Sequence, residues 1–290
     1  MVLRSALTGF ALVLLLGACG GDDDGGDSSG RVEVVASLYP LAFAAEQVGG
    51  DLVDVVDLTP AGAEPHDLEL TTDQVDAIED ADLVLVLGHD FQPAVEEIAG
   101  RRDDGTIVVL DELGIDSDDP HVWLDPTQMQ EIGTVIRDAL VDLDASAAVR
   151  YRAMAETFDG ALGALDEEFT AGLADCERRD LVTAHDAFGW MADRYDLTPQ
   201  PIAGLSPDEE PSAERISELA ELVETEGVTT IFTESLVSPR VAETLAREAG
   251  VATAVLDPIE GLADDADARA DYFSLMRANL AELQEGLGCG

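Results

Sequence analysis

Lysine is absent from this chain, and basic residues of any kind are scarce. All 15 of them are arginine, against 62 aspartates and glutamates, which gives a formal net charge of −47. A nucleic-acid partner is therefore disfavoured, because its phosphate backbone would be repelled. A cation would be attracted, but salt screens this field within about 8 Å, so the charge can assist capture without creating a site.

Apolar runs long enough to span a bilayer are also missing. The run at residues 6–16 is shorter than the roughly 20 residues required, but it follows Arg4 and fits the core of a secretory signal. It ends in the residues LGAC, which resemble the lipobox of bacterial lipoproteins. We therefore predict a signal peptide over residues 1–18, cleavage before Cys19 and a lipid on its sulfur. The alternative is an ordinary signal peptide in which Cys19 has no role.

The next segment indicates where the folded part resides. Residues 19–30 are rich in glycine and aspartate, which predicts a flexible acidic tether. The folded part is then extracytoplasmic and attached to the membrane by the lipid anchor alone. In that compartment the other two of the 3 cysteines, Cys176 and Cys289, can form a disulfide. Two separate buried thiols are the alternative.

Short β-branched runs alternate with helical patterns along the rest of the chain. This alternation predicts an α/β fold with mostly parallel sheets. It occurs twice, which predicts two lobes, each with a four-stranded sheet and flanking helices. The predicted strands are Val32–Ser37, Val53–Leu58, Leu83–Leu87 and Ile107–Leu110 in the first lobe, and Leu181–Ala184, Gln200–Ile202, Thr229–Thr233 and Ala252–Leu256 in the second.

One long helix is predicted between the lobes. Apolar residues recur at helical spacing from Ala147 to Leu173 without a proline, which corresponds to a rigid rod of about 40 Å. The chain then divides into a first lobe over residues 31–145, a linking helix over residues 146–175 and a second lobe over residues 176–290. A stiff connection of this kind predicts less hinge closure than flexible linkers allow.

Histidine is another scarce residue, with 4 in the chain. His66, His121 and His185 each follow the carboxyl end of a predicted strand, and so does Asp257. Ligands bind at this edge of open α/β sheets, because loops converge there. Two of these residues come from each lobe, so a single site between the lobes is predicted. Three imidazoles and a carboxylate suit tetrahedral Zn²⁺, whereas oxygen-richer sets favour Mn²⁺.

Other polar residues have supporting roles in this prediction. Each ligating histidine needs an acceptor for its second ring nitrogen. The candidate acceptors are Asp67, Asp125 and Asp186. Glu234 and a water molecule are alternatives to Asp257 as the fourth ligand, although Glu234 more naturally braces the second lobe. His89 is expected at the surface or behind the ligands.

Together these segments resemble the zinc- and manganese-binding receptors of ABC importers, the cluster A-I lipoproteins. The resemblance runs from about Val32 to Cys289 and rests on GAEPHDLELTTDQVDAIEDADLVLVLG, PHVWLDP, LVTAHDAFGWMADRYDL, IAGLSPDEEPSA, IFTESLVSP and VLDP. It implies two lobes bridged by a long helix, with the metal held by the three histidines above and Asp257. The segment DELGIDSDD is short and lacks the histidine-rich loop of many zinc-specific relatives, so the preference for zinc rests on His185.

The resemblance implies a receptor that captures Zn²⁺ outside the cell and delivers it to a membrane permease driven by a cytoplasmic ATPase. The chain has no phosphate-binding glycine loop with lysine, so ATP hydrolysis would occur on a separate subunit. We expect a monomer without enzyme activity. The alternatives are a manganese-preferring receptor of the same type, a zinc-dependent hydrolase in which water replaces Asp257, and a surface adhesin.

Overall fold

The computed structural model describes residues 30–264, 266–267 and 269–290. The predicted signal peptide, the predicted lipid anchor at Cys19 and the predicted tether up to residue 29 lie outside these residues. Within the described part of the chain, no helix combines the length and the apolar character needed to cross a membrane. The folded part, Arg31–Gly290, forms one compact unit.

Strands and helices alternate along the described chain, as the sequence pattern predicts. The strands are β1 (Val32–Ala36), β2 (Val53–Asp57), β3 (Leu83–Val86), β4 (Thr106–Val108), β5 (Asp180–Thr183), β6 (Thr198–Pro201), β7 (Thr230–Thr233) and β8 (Ala252–Val255). The helices are α1 (Tyr39–Gly49), α2 (Thr72–Asp80), α3 (Pro93–Ala99), α4 (Val109–Glu112), α5 (Pro126–Leu143), α6 (Ala148–Gly172), α7 (Gly189–Tyr195), α8 (Ala213–Thr225), α9 (Arg240–Ala249) and α10 (Tyr272–Leu287).

The strands form two parallel sheets with the same topology, β2-β1-β3-β4 and β6-β5-β7-β8. The central strand β3 shows why its sequence is apolar throughout. Leu83 and Leu85 pack into one core, whereas Val84 and Val86 pack into another on the opposite face. Parallel sheets covered by helices on both faces bury both sets of side chains. The predicted α/β fold with two four-stranded sheets is confirmed.

The observed bounds differ from the predicted ones by one residue at most strands, and by two residues at one end of the two edge strands β4 and β6. β4 ends before the predicted Leu110, because Val109 already begins α4. β6 begins before the predicted Gln200 and includes Pro199 and Pro201. Proline removes a donor from the hydrogen-bond ladder, which is tolerated at the edge of a sheet but not at its centre.

The predicted linking helix is α6, which has 25 residues and follows a short 3-10 turn at Ala145–Ala147. Phe158 on α6 contacts Phe43 of α1 and Phe273 of α10, with 6.0 Å between ring centroids in both pairs. Because α1 flanks the first sheet and α10 the second, this helix packs against both lobes. The connection is therefore part of a continuous core.

A disulfide joins Cys176 to Cys289, 113 positions apart. The same two residues form an antiparallel backbone bridge, so the end of α10 is fastened to the segment that follows α6. In the chain-entropy account, a loop of this length contributes about 4 to 5 kcal/mol to stability.

Candidate metal centre

Three imidazoles and one carboxylate meet between the carboxyl edges of the two sheets. His66, His121, His185 and Glu260 each offer one ligand atom, and these atoms lie within 4.8 Å of one another. His121 and His185 are fully buried, and Glu260 is 2% exposed. The structure thus brings the three histidines predicted from sequence together, with Glu260 as their common neighbour.

The distances from the Glu260 carboxylate to the three imidazoles fit ligands of a tetrahedral ion. Glu260 Oε1 lies 3.1 Å from His121 Nε2, 3.2 Å from His185 Nε2 and 3.5 Å from His66 Nε2. Ligands at about 2.0 to 2.1 Å from a tetrahedral metal are separated by about 3.3 Å. His66 Nε2 is a buried nitrogen without a hydrogen-bond partner among the described residues. Such a nitrogen calls for an explanation, and a metal-ligand role provides one.

His185 is held from behind by Glu234. His185 lies two positions after the end of β5, and Glu234 directly follows the neighbouring strand β7, so both lie at the same sheet edge. A Glu234 carboxylate oxygen accepts hydrogen bonds from His185 Nδ1 at 2.7 Å and from its backbone N–H at 3.1 Å. Burial opposes protonation, but Glu234 and Glu260 raise the pKa of His185 to about 10. A metal ion that binds here must displace the proton from Nε2.

His121 has the same arrangement in the first lobe. Asp119 Oδ1 accepts from His121 Nδ1 at 2.8 Å and from its backbone N–H at 3.0 Å. The turn then enters α5, whose N-cap Asp125 accepts from Thr127 N–H at 2.8 Å. Burial opposes the positive charge, but Asp119 and Glu260 together raise the pKa of His121 above its ordinary value. The ring is therefore fixed with Nε2 toward Glu260.

His66 lies on the loop between β2 and α2 and is held mainly by packing. Its ring lies against Phe91, with 4.2 Å between centroids, and its side chain is 10% exposed. The loop ends in a capping box between Thr71 and Gln74. Gln74 Nε2 also donates to the Leu58 carbonyl at 2.7 Å, which ties the two ends of the loop together.

The expectation that Asp257 supplies the fourth ligand needs a correction, because the structure does not bring Asp257 into the cluster. One of its carboxylate oxygens accepts from Ser235 Oγ at 2.7 Å, and the other accepts from Ile259 N–H at 2.7 Å. Ile259 has a left-handed φ of 57°, which reverses the chain and turns Glu260 toward the histidines. Asp257 thus shapes the loop that presents Glu260.

The electrostatics of Glu260 suit the position of a ligand. Burial alone would raise its pKa, but the imidazoles of His121, His185 and His66 hold the pKa well below its usual value. The carboxylate is thus ionised despite its burial. Sequence reasoning missed Glu260, although it lies three positions after Asp257 in the segment LDPIEG, whose position after β8 was the available signal.

The acceptors that orient the rings also differ from the sequence candidates. Asp119 and Glu234 have this role, whereas Asp125 caps α5 and Asp186 hydrogen-bonds through its backbone N–H to the Gly204 carbonyl.

The other two polar residues predicted near the site lie outside the four-ligand cluster. Asp67 is exposed and belongs to an acidic group with the partly buried Glu64 and the exposed Asp208. His89 Nε2 lies 3.4 Å from Asp111 Oδ1, and His89 Nδ1 lies 3.3 Å from the Ser117 carbonyl oxygen. His89 is thus a surface residue of the first lobe, not a member of the cluster.

Comparison with known proteins finds similar chains among zinc-binding and zinc-uptake proteins. The profile of the family described as zinc-uptake complex component A, periplasmic (ZnuA), matches residues 34–286. The zinc-binding protein AdcA of Streptococcus pyogenes serotype M1 is 35% identical, over 89% of this chain but only 56% of its own length. The high-affinity zinc uptake system protein ZnuA of Bacillus subtilis is 32% identical, over 96% of this chain and 95% of its own length.

Solved structures share the fold over most of the chain. One is the laminin-binding protein Lmb of Streptococcus agalactiae, which is described as bifunctional with adhesin and metal-transporting activity. Its TM-score is 0.81 at 30% sequence identity, and the match covers 88% of this chain and 99% of the Lmb chain. The Zn(II)-bound ZnuA-like domain of Streptococcus pneumoniae AdcA has a TM-score of 0.76 at 34% identity, and covers 89% of this chain and 99% of its own.

Proposed function

The chain belongs to the zinc-uptake complex component A family, and from this premise we propose that it is an extracytoplasmic receptor that binds one Zn²⁺ between its lobes and delivers it to an ABC importer. The observation that carries the proposal is the buried convergence of His66, His121, His185 and Glu260. Two of these residues come from each lobe, so that the ion is enclosed by both.

The donor set favours zinc over manganese. Three imidazole nitrogens and one carboxylate oxygen are typical of tetrahedral Zn²⁺ sites, whereas Mn²⁺ favours more oxygen ligands. Copper and nickel also bind nitrogen-rich sites strongly, so the choice among these metals in the cell depends on their availability as well as on the site.

The site suits a receptor better than a zinc hydrolase. A catalytic zinc keeps one coordination position for water, and here Glu260 Oε1 fills the fourth position beside three nitrogens. We therefore propose that the protein is not an enzyme and that four protein ligands retain the ion until a permease distorts them.

The remaining parts of the proposal follow from the sequence. Residues 1–18 form a lipoprotein signal, Cys19 carries the lipid, and residues 19–30 tether the receptor at the membrane surface. The first lobe over residues 31–145 and the second over residues 176–290 then enclose the ion as a monomer, with residues 146–175 between them. The partners are a permease and its ATPase subunit.

Metal titration tests the proposal. Elemental analysis of the purified protein should show one zinc per chain, and calorimetry of the stripped protein should show binding of Zn²⁺ at least about 100-fold tighter than that of Mn²⁺. Equal affinity for the two ions would contradict the choice of zinc. Turnover of ester, amide or phosphate substrates that His185→Ala abolishes would favour the hydrolase instead.

A further inference from the structure

The two tryptophans of this chain form reciprocal hydrogen bonds between the lobes. Trp123, in the first lobe, donates its indole N–H to the Pro258 carbonyl of the second lobe at 2.7 Å. Trp190, on α7 of the second lobe, donates its indole N–H to the Asp119 carbonyl of the first lobe at 3.0 Å. Each acceptor lies two positions before a residue of the metal centre, Glu260 or His121. We name this pair of bonds the indole clasp.

The Trp123 bond connects two of the metal ligands. Trp123 lies two positions after His121, and the two rings meet edge-to-face with 5.3 Å between centroids. Its acceptor is in the loop that carries Glu260. Trp123 is fully buried, and its own carbonyl accepts from Tyr272 Oη at 2.6 Å. The turn that presents His121 therefore also holds the loop that presents Glu260.

The Trp190 bond supports the opposite side of the same turn. Its acceptor, the Asp119 carbonyl, belongs to the residue whose carboxylate fixes His121 Nδ1 at 2.8 Å. The approach of α7 to this residue is close, because a Cβ on Gly189 would overlap the Asp119 carboxylate. The second lobe thus positions the Asp119–His121 pair directly.

The loop held by Trp123 is one that needs support. Ile259 is a buried β-branched residue with φ of 57°, a conformation that such residues rarely adopt. A strained backbone persists only where its surroundings determine it fully. Here Asp257 accepts the N–H of Ile259 at 2.7 Å, and Trp123 holds the carbonyl of the preceding Pro258. Both contacts fix the direction of Glu260.

We propose that Trp123 and Trp190 are positioning residues that hold His121 and Glu260 at metal-binding distance and thereby slow the release of the ion. This inference rests on the proposed function, since it concerns the retention of the metal by the same four ligands. Preorganised ligands bind more tightly because less ordering is needed when the ion enters. Loss of either indole N–H frees one side of the His121 turn or the Glu260 loop.

Phenylalanine variants of the full chain test the indole clasp. Trp123→Phe and Trp190→Phe each remove the N–H and keep an aromatic ring. We expect each to accelerate Zn²⁺ release to excess chelator by about fivefold to tenfold, the effect of one hydrogen bond, and to alter the ligand-field spectrum of the Co²⁺-loaded protein while one ion per chain is still bound. The half-buried Trp190 remains informative if Trp123→Phe does not fold.

Tyr195→Phe is the matched control. It removes a partly buried hydrogen bond from α7, 3.1 Å to Asp166, without touching a ligand loop. It should lower thermal stability and leave zinc release and the Co²⁺ spectrum unchanged. Tryptophan variants that behave like this control would overturn the positioning role. A wild-type protein that fails to bind zinc would instead refute the proposed function.

Discussion

His66 is held differently from the other two imidazoles of the metal centre. His121 and His185 are fully buried, and a carboxylate accepts a hydrogen bond from Nδ1 of each ring, at 2.8 Å from Asp119 and 2.7 Å from Glu234. The His66 side chain is 10% exposed, and among the described residues no carboxylate hydrogen-bonds to its Nδ1. Two ligands are thus fixed from behind, whereas the third is positioned by its loop and by Phe91.

The pKa values of the buried carboxylates differ between the two parts of the site in the same way. The pKa of Glu260 is held well below its usual value by the imidazoles around it, despite its burial. Burial raises the pKa of Glu64, on the loop of His66, to about 7, and it also raises to about 7 the pKa of Asp57, the last residue of β2 before that loop. The buried carboxylate at the centre is thus stabilised as an anion, whereas the carboxylates of Glu64 and Asp57 are not. The site therefore has two unlike sides: a firm side, where carboxylates fix His121 and His185, and a yielding side, where packing positions His66.

The difference between the two sides predicts that removing a histidine affects zinc binding and stability unequally. These are the largest effects that we expect. His185→Ala should weaken zinc binding by at least about 100-fold and also destabilise the metal-free protein by about 3 kcal/mol, because Glu234 is left buried and unpaired. His66→Ala should weaken binding by at least about tenfold but change the stability little. Chelator competition and urea unfolding measure the two quantities, and equal stability losses would contradict the division.

Replacement of the Glu260 carboxylate should have the next largest effect on zinc binding. Glu260→Gln should weaken zinc binding by about 100-fold, because it removes the anion that three nitrogens share. Asp257→Asn should cost less than about fivefold, since an amide oxygen can still accept the N–H of Ile259. Calorimetric titration of both variants decides the matter: an equal loss in the two would return Asp257 to the ligand set.

Much of the fold can be predicted from the sequence because its signals are local. The apolar strand at Leu83–Val86 and the helical spacing of α6 each reflect burial of a continuous segment. The three histidines of the candidate metal centre can be found in the same way, since each follows a strand and parallel strands end at a common edge.

The parts of the site that sequence does not reveal depend on contacts between distant residues or on a rare backbone conformation. Glu234 reaches His185 from 49 positions away, because β7 pairs with β5. The choice between Asp257 and Glu260 depends on the left-handed φ of Ile259. A β-branched residue gives no sequence signal for that conformation.

The yielding side gives the prediction with the smallest effect on zinc binding. It concerns the pH dependence of the free energy of unfolding of the metal-free protein. Asp57 closes β2 at the start of the His66 loop, and burial, aided by Glu46, raises its pKa from 3.8 to about 7 although the Thr59 N–H opposes this. The folded protein therefore binds this proton more tightly than the unfolded chain, so stability is lost as pH rises from about 4 to about 7. Asp57→Asn should remove that loss and stabilise the metal-free protein by up to about 4 kcal/mol at pH 8 but not at pH 4. Urea unfolding at both pH values measures the difference, with Asp76→Asn, on the exposed face of α2, as the control. An equal gain in stability at both pH values would show that the charge of Asp57 does not destabilise the folded protein.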